Sequence, residues 1–364
     1  MVAKTWILSL IAIACGAGAA AQDAAAPVAA PSADYAGDVG VHALAPAREL
    51  RLSGERGERD VLVRATFPAD LQAPAPVIIF SHGVWGSSSQ YQPLVRHWAS
   101  HGYICLQPQH GDTIPEAQRG TGSAQGAFRG WRERAREITR LIDAIEAPPR
   151  AWGALGEQMN RERIAMAGHS FGAHIAQLLG GTRLRVDRRG RTVSLADARI
   201  DAIVMFAPRG RGPQLDEQAW ADLEVPFMAV TGSNDIARLR RGEDVAWRMD
   251  AFLFAPASPR YLLFINGGYN NFGGLTQTAI RFEGWGEPDA RHARYALDFT
   301  TAFWDAQLRD TASAERYLQQ QAASRAYAAS DGVMLLNDPA DVPALLQAAP
   351  PHRVPRKAIR PTPP

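Results

Sequence analysis

Apolar residues recur along this chain with two spacings, and each spacing predicts a different element. Residues 60–67 alternate apolar and polar side chains, the period-two pattern of a half-buried strand. Residues 76–80 and 103–106 are continuous apolar runs, as strands covered on both faces should be. From Trp131 to Ile145 the period lengthens, and Ile138, Leu141, Ile142 and Ile145 form one helical stripe. Further strands are predicted at 164–167, 200–206, 227–230 and 261–265. A helix follows from about Arg291 to Leu308, with a shorter one around Ala314. The 187–190 turn, flanked by Arg183, Arg185 and Arg191, predicts an exposed hairpin. Strands separated by helices imply a mostly parallel sheet with right-handed crossovers, an α/β class.

Composition narrows the setting. With 364 residues, 46% of them hydrophobic, the chain can bury one large α/β domain with its insertions. A formal net charge of +2 gives no electrostatic case for nucleic acid as partner. Residues 1–21 read as a signal peptide: Lys4 is the positive end, 6–15 the apolar core, and Ala19-Ala20-Ala21 the small-residue exit. Export to the periplasm or medium is therefore expected, with no stable membrane span after cleavage, because the apolar run is short and half Gly/Ala. A lipid on Cys15 is the weaker alternative, and removing Cys15 leaves Cys105 without a disulfide partner. Residues 22–45 form an Ala/Pro-rich flexible leader, 46–335 the folded domain, and 336–364 a Pro-rich basic tail.

Open parallel sheets bind ligands beyond the carboxyl ends of their strands. Gly168-His169-Ser170-Phe171-Gly172 stands at such a place, between the apolar run 163–167 and a small-residue helical stretch. It fits the Gly-x-Ser-x-Gly nucleophile elbow, whose glycines are needed because the strand-to-helix turn leaves no room for side chains. After the 76–80 strand comes Ser81-His82-Gly83-Val84-Trp85-Gly86, whose glycines let the backbone turn over the serine. The N–H groups of Val84 and Phe171 are then the natural oxyanion donors, with His82 and Trp85 as candidate pocket residues. Asp235 directly follows a strand and suits the acid that orients a base. Arg209 and Arg211 follow one strand and Arg238, Arg240 and Arg241 the next, a set that suits a substrate carboxylate if these are not merely solvated. No ligand spacing suggests a metal, and no cofactor is expected.

A hydrolase of this type carries its acid and then a histidine after the serine. Beyond Asp235 the only histidines are His292 and His352, and Asn270 occupies the position best suited to the base. An amide can accept a hydrogen bond from Ser170 and donate one to Asp235, but it has no proton equilibrium near neutral pH. His292, opening the last long helix, is a substitute base. His82 and His110 are further candidates in loops before the serine, and His169 and His174 read as structural.

Four segments carry a family likeness: 80–83, 96–103, 167–173 and 301–306. Together they resemble exported bacterial α/β-hydrolases, the dienelactone-hydrolase-like and chlorophyllase-like serine esterases, over about residues 50 to 330. The resemblance implies an α/β-hydrolase fold with Ser170 as nucleophile, Asp235 as acid, and Val84 and Phe171 as oxyanion donors. Such proteins carry Asp-His where this chain has Tyr269-Asn270, and they tend to have a histidine near His292 as well as the catalytic one. The expected activity is hydrolysis of a small carboxylic ester through an acyl-enzyme at Ser170, with an impaired or relocated base. The alternative is a catalytically silent α/β-hydrolase-fold binding protein.

Overall fold

The computed structural model describes residues 40–54, 57–113, 130–236, 245–256, 259–277, 285–324 and 332–348. The signal peptide, most of the leader, the end of the basic tail, and Arg238, Arg240 and Arg241 lie outside the described residues.

Nine strands make one sheet: β1 (Arg48–Leu52), β2 (Val61–Thr66), β3 (Ala75–Ser81), β4 (Ile104–Pro108), β5 (Met159–His169), β8 (Ile200–Phe206), β9 (Phe227–Gly232), β10 (Arg260–Ile265) and β11 (Val333–Leu336). Their spatial order is β1-β2-β4-β3-β5-β8-β9-β10-β11. The six strands from β4 to β10 run parallel, while β1, β2 and β11 pair antiparallel at the margins. The predicted hairpin is the separate pair β6 (Leu184–Arg185) and β7 (Thr192–Val193).

Alternation along the strands builds two cores. Val77 and Ile79 of β3 join one, with the stripe of Ile138, Leu141, Ile142 and Ile145 on α2 (Trp131–Glu146). Ile78 and Phe80 join the other, with Leu94, Val95 and Trp98 of α1 (Gln92–Ser100). Helix α3 (Phe171–Leu179) packs on the first face, and α4 (Ala290–Leu308) and α5 (Ala312–Ser324) on the second. A sheet covered on both faces explains the continuous apolar runs of its inner strands. The arrangement is the expected α/β-hydrolase architecture.

Several elements differ from the sequence expectation. Strand β5 starts at Met159, five residues early: Met159 and Asn160 pair with Ala75 and Pro76, and exposed Arg161 and Glu162 fall in the register shift before Ile164. Neither β1 nor β11 was expected, and α1 was not either. The docked chain also extends beyond 46–335. Leu44 bridges Pro68 and Gly40 N donates to Ser100 Oγ at 2.9 Å, so the leader is anchored before residue 46. Past 336, Val342 and Leu345 are buried, so the basic tail begins later than expected.

Candidate active site

At the carboxyl end of β5 the chain turns directly into α3, and Ser170 is the hinge of that turn. Its backbone is left-handed, φ 52° and ψ −107°, a conformation costly for a residue with a Cβ. The turn holds because Ser170 N donates to Phe206 O at 2.8 Å and Ser170 O accepts from His174 N at 3.0 Å. Gly172 is required by contact: a Cβ there would lie 1.9 Å from Ser81 O. From Ile164 to Leu179 every side chain is buried except that of Ser170, which stays partly open to solvent. Positive φ recurs at Ala207, after β8, and at Phe272, beyond β10.

Asp235 follows β9 and is fully buried. Its Oδ1 accepts from Asn270 Nδ2 at 2.6 Å, and its Oδ2 accepts from Thr231 Oγ1 at 3.0 Å and faces Arg248 Nε at 2.9 Å. Burial pushes the carboxyl above its usual range, and Arg248, Asn270 and Thr231 oppose that shift. Asn270 reaches Asp235 because the loops after β9 and β10 interlace. Asn234 N donates to Gly268 O at 2.9 Å, Gly267 N donates to Ser233 Oγ at 2.7 Å, and a Cβ on Gly232 would meet Gly268 O at 2.5 Å.

The structure brings Asn270 to Asp235, but the other end of its amide does not accept from Ser170. Asn270 Oδ1 accepts from His169 Nε2 at 3.1 Å. His169 Nδ1 in turn accepts from Tyr91 Oη at 2.9 Å, and that hydroxyl accepts from Gly83 N at 3.2 Å. Donors and acceptors alternate without conflict from Gly83 through Tyr91, His169 and Asn270 to Asp235, so the imidazole is neutral with its proton on Nε2. Burial and the Arg248 charge drive the His169 pKa down to about 3. His169, read as merely structural, is the residue that occupies the Asn270 acceptor.

His292 lies in the first turn of α4, which Asp289 caps, with its ring beside Gly267 and its Nδ1 3.9 Å from Asp289 Oδ2. His82 and His110 are engaged by groups other than Ser170. His82 is buried beneath its own loop, donating from Nδ1 to Gly83 O at 2.7 Å and accepting at Nε2 from His110 N at 3.3 Å. His110 lies 2.9 Å from Ser81 Oγ and 2.6 Å from Glu137 Oε2, all three buried. Burial lowers both histidines well below their usual pKa and raises Glu137 to about 7. This second serine–histidine–carboxylate array is sealed from solvent, so Ser81 is not a rival to Ser170.

Val84 is half-buried on the loop after β3, and Trp85 is buried with φ 61°. Arg209 is half-buried after β8, and Arg211 is paired with Glu217 at 2.6 Å and with buried Asp250 at 3.3 Å. Sequence reasoning missed Arg248, Tyr91, Arg134 and Asp112. Arg134 and Glu137 had a signal, since the α2 stripe extended one turn back falls on both; Arg248 had none.

The family model described as Chlorophyllase matches residues 62–181. That span runs from β2 through the elbow and α3, and it includes Val84, Ser170 and Phe171. It ends before Asp235, Asn270 and His292. At family level the likeness supports a serine ester hydrolase and agrees with the fold described above. No curated protein matches the chain. Among the described residues no helix is long and apolar enough to cross a membrane, and no cluster of histidine, cysteine and carboxylate side chains could hold a metal ion.

Proposed function

We propose that this chain is a serine hydrolase of small carboxylic esters in which Ser170 is acylated and no side chain at position 270 serves as base. The observation that carries the reading is the strained, partly open Ser170 at the strand-to-helix turn, within an otherwise buried segment. Ser170 Oγ attacks the ester carbonyl, the oxygen gains charge against the N–H groups of Val84 and Phe171, the alkoxide leaves and takes a proton from solvent, and water then cleaves the acyl-serine to release the acid. Asp235 and Asn270 keep the geometry of an acid and its partner, but Asn270 cannot take the serine proton, which passes to solvent. Losing the base of a comparable triad costs about 10⁶ in turnover and leaves roughly 10³ to 10⁴ over water. Slow, serine-dependent hydrolysis is the expected behaviour.

We assign a substrate carboxylate to Arg209, half-buried after β8 with its charge acting on His174 of α3. Replacing it with alanine should raise KM for an ester bearing a carboxylate and leave a neutral ester unchanged. Export is our reading of the signal-like residues 1–21, and an exported product beginning at Gln22 would support it.

A second reading has its own observation. Both ends of the Asn270 amide are occupied, and Arg248 already balances Asp235, as in a site kept for binding rather than turnover. The test is covalent labelling of Ser170 by a fluorophosphonate across pH 6 to 10, about four units, with Ser170→Ala as blank. Serine-specific labelling that quickens with pH supports the hydrolase, and none at any pH leaves the silent binding protein.

A further inference from the structure

Arg134 is 2% exposed, one turn before the apolar stripe of α2, and its guanidinium is committed on every side. Nε and Nη2 hold the two oxygens of Asp112 at 2.8 and 2.7 Å. Nη1 donates to His82 O at 2.6 Å and Nη2 to Gly83 O at 3.1 Å, with a longer contact of 3.3 Å from Nη1 to Ser81 Oγ. Asp112 Oδ2 also accepts from Trp85 N at 3.2 Å, so one ion pair grips the backbone on both sides of Val84. The flat face of the guanidinium lies 4.4 Å from the ring centre of Phe171, the residue after the elbow serine.

Peptide planarity turns this grip into a direction. In a trans peptide the C=O of Gly83 and the N–H of Val84 point opposite ways. A Gly83 carbonyl drawn into the buried polar cluster therefore aims the Val84 N–H out of it. His82 Nδ1 and Gly86 N also donate to that carbonyl, at 2.7 and 3.1 Å, but only Arg134 ties it by a charge-assisted fork to Asp112 while pressing on Phe171.

We infer that Arg134 is a positioning residue that holds the Val84 and Phe171 amides in register for an oxyanion, without touching substrate. The inference rests on the reading of Ser170 as nucleophile. A preorganised donor is worth about 10² to 10³ in rate when removed, and a donor left in place but misaligned should cost less.

The test compares the wild type with Arg134→Lys and with the double variant Arg134→Met, Asp112→Asn, which leaves no buried charge unpaired. Fluorophosphonate labelling of Ser170, KM and kcat on p-nitrophenyl acetate, and hydrogen exchange of the 82–86 backbone are measured on protein shown to be folded. The expected result is labelling about tenfold to a hundredfold slower in the double variant, KM within about twofold of wild type, partial recovery with lysine, and faster exchange at 82–86. Wild-type labelling rate in the folded double variant, or a loss confined to KM, overturns the inference. If the wild type is not labelled at all, the Ser170 reading fails by itself and exchange decides: unchanged exchange at 82–86 overturns the role of Arg134, and faster exchange sustains its grip on the loop.

Discussion

The chemistry of this site turns on one amide. Asn270 donates to Asp235 and accepts from His169, so both polar ends are used in holding the site together. Asn270→His would restore a group with a proton equilibrium near neutral pH beside the acid, and ester turnover should rise at least about a hundredfold. The gain should appear above the imidazole pKa, because the base works only when deprotonated. The wild-type labelling rate should instead climb with pH from 7 to 9, about tenfold per unit, without a plateau. A wild-type plateau above neutral pH would mean that a side chain, not solvent, takes the serine proton. Asn270→Asp should do the opposite of Asn270→His, since a second carboxylate against Asp235 is repelled.

At the scale of elements, the serine is held by a close approach between β5, α3 and the loop after β3. Gly168 and Gly172 face each other across the elbow, and a Cβ on Gly168 would come 2.3 Å from Gly172 C. Because Gly172 also lies against Ser81 O, a methyl there has no flexible neighbour to displace. Gly172→Ala should therefore cost roughly 3 kcal/mol or more of stability, or abolish folding, as read by urea unfolding. A far milder effect is expected for alanine at Gly190, in the β6–β7 hairpin, where nothing lies within 4 Å of a new Cβ and only its φ of 83° resists.

The whole molecule buries four neutral histidines around this corner, His82, His110, His169 and His174, each with its pKa lowered chiefly by burial. In the unfolded chain they take up protons near 6.5, so below that pH the unfolded state binds more protons than the native one. Their contribution is complete above 6.5 and is lost as pH falls toward 3 in the case of His169. Glu137 works in reverse: raised to about 7 in the fold, it stabilises at low pH and loses that contribution between 4.5 and 7. His97, lowered to about 4, acts with the histidines, while Asp235, Asp250 and Asp305, also raised by burial, act with Glu137, so the wild-type profile read by urea unfolding is a balance in which the histidines' share is a fall in stability from pH 6.5 to 4. His169→Gln, which keeps a donor for Asn270, should flatten that fall by a few kcal/mol.

Sequence by itself determined the layers of this protein and the position of its serine. Apolar runs such as 200–206 can exist only where a sheet is covered on both faces, and the glycines around Ser170 announce a turn that excludes side chains. The expectation that Asn270 stands where a base would be sought came from chain order as well, which puts the base after the last parallel strand. Tertiary structure alone decided what Asn270 does, since its partner His169 lies 101 residues away and is reached only when β5 and the loop after β10 meet. The same holds for Arg248 against Asp235 and for Arg134 against the loop after β3. Periodicity reports which face of an element is buried, but a buried ion pair is a relation between elements, and its geometry exists only once they are packed.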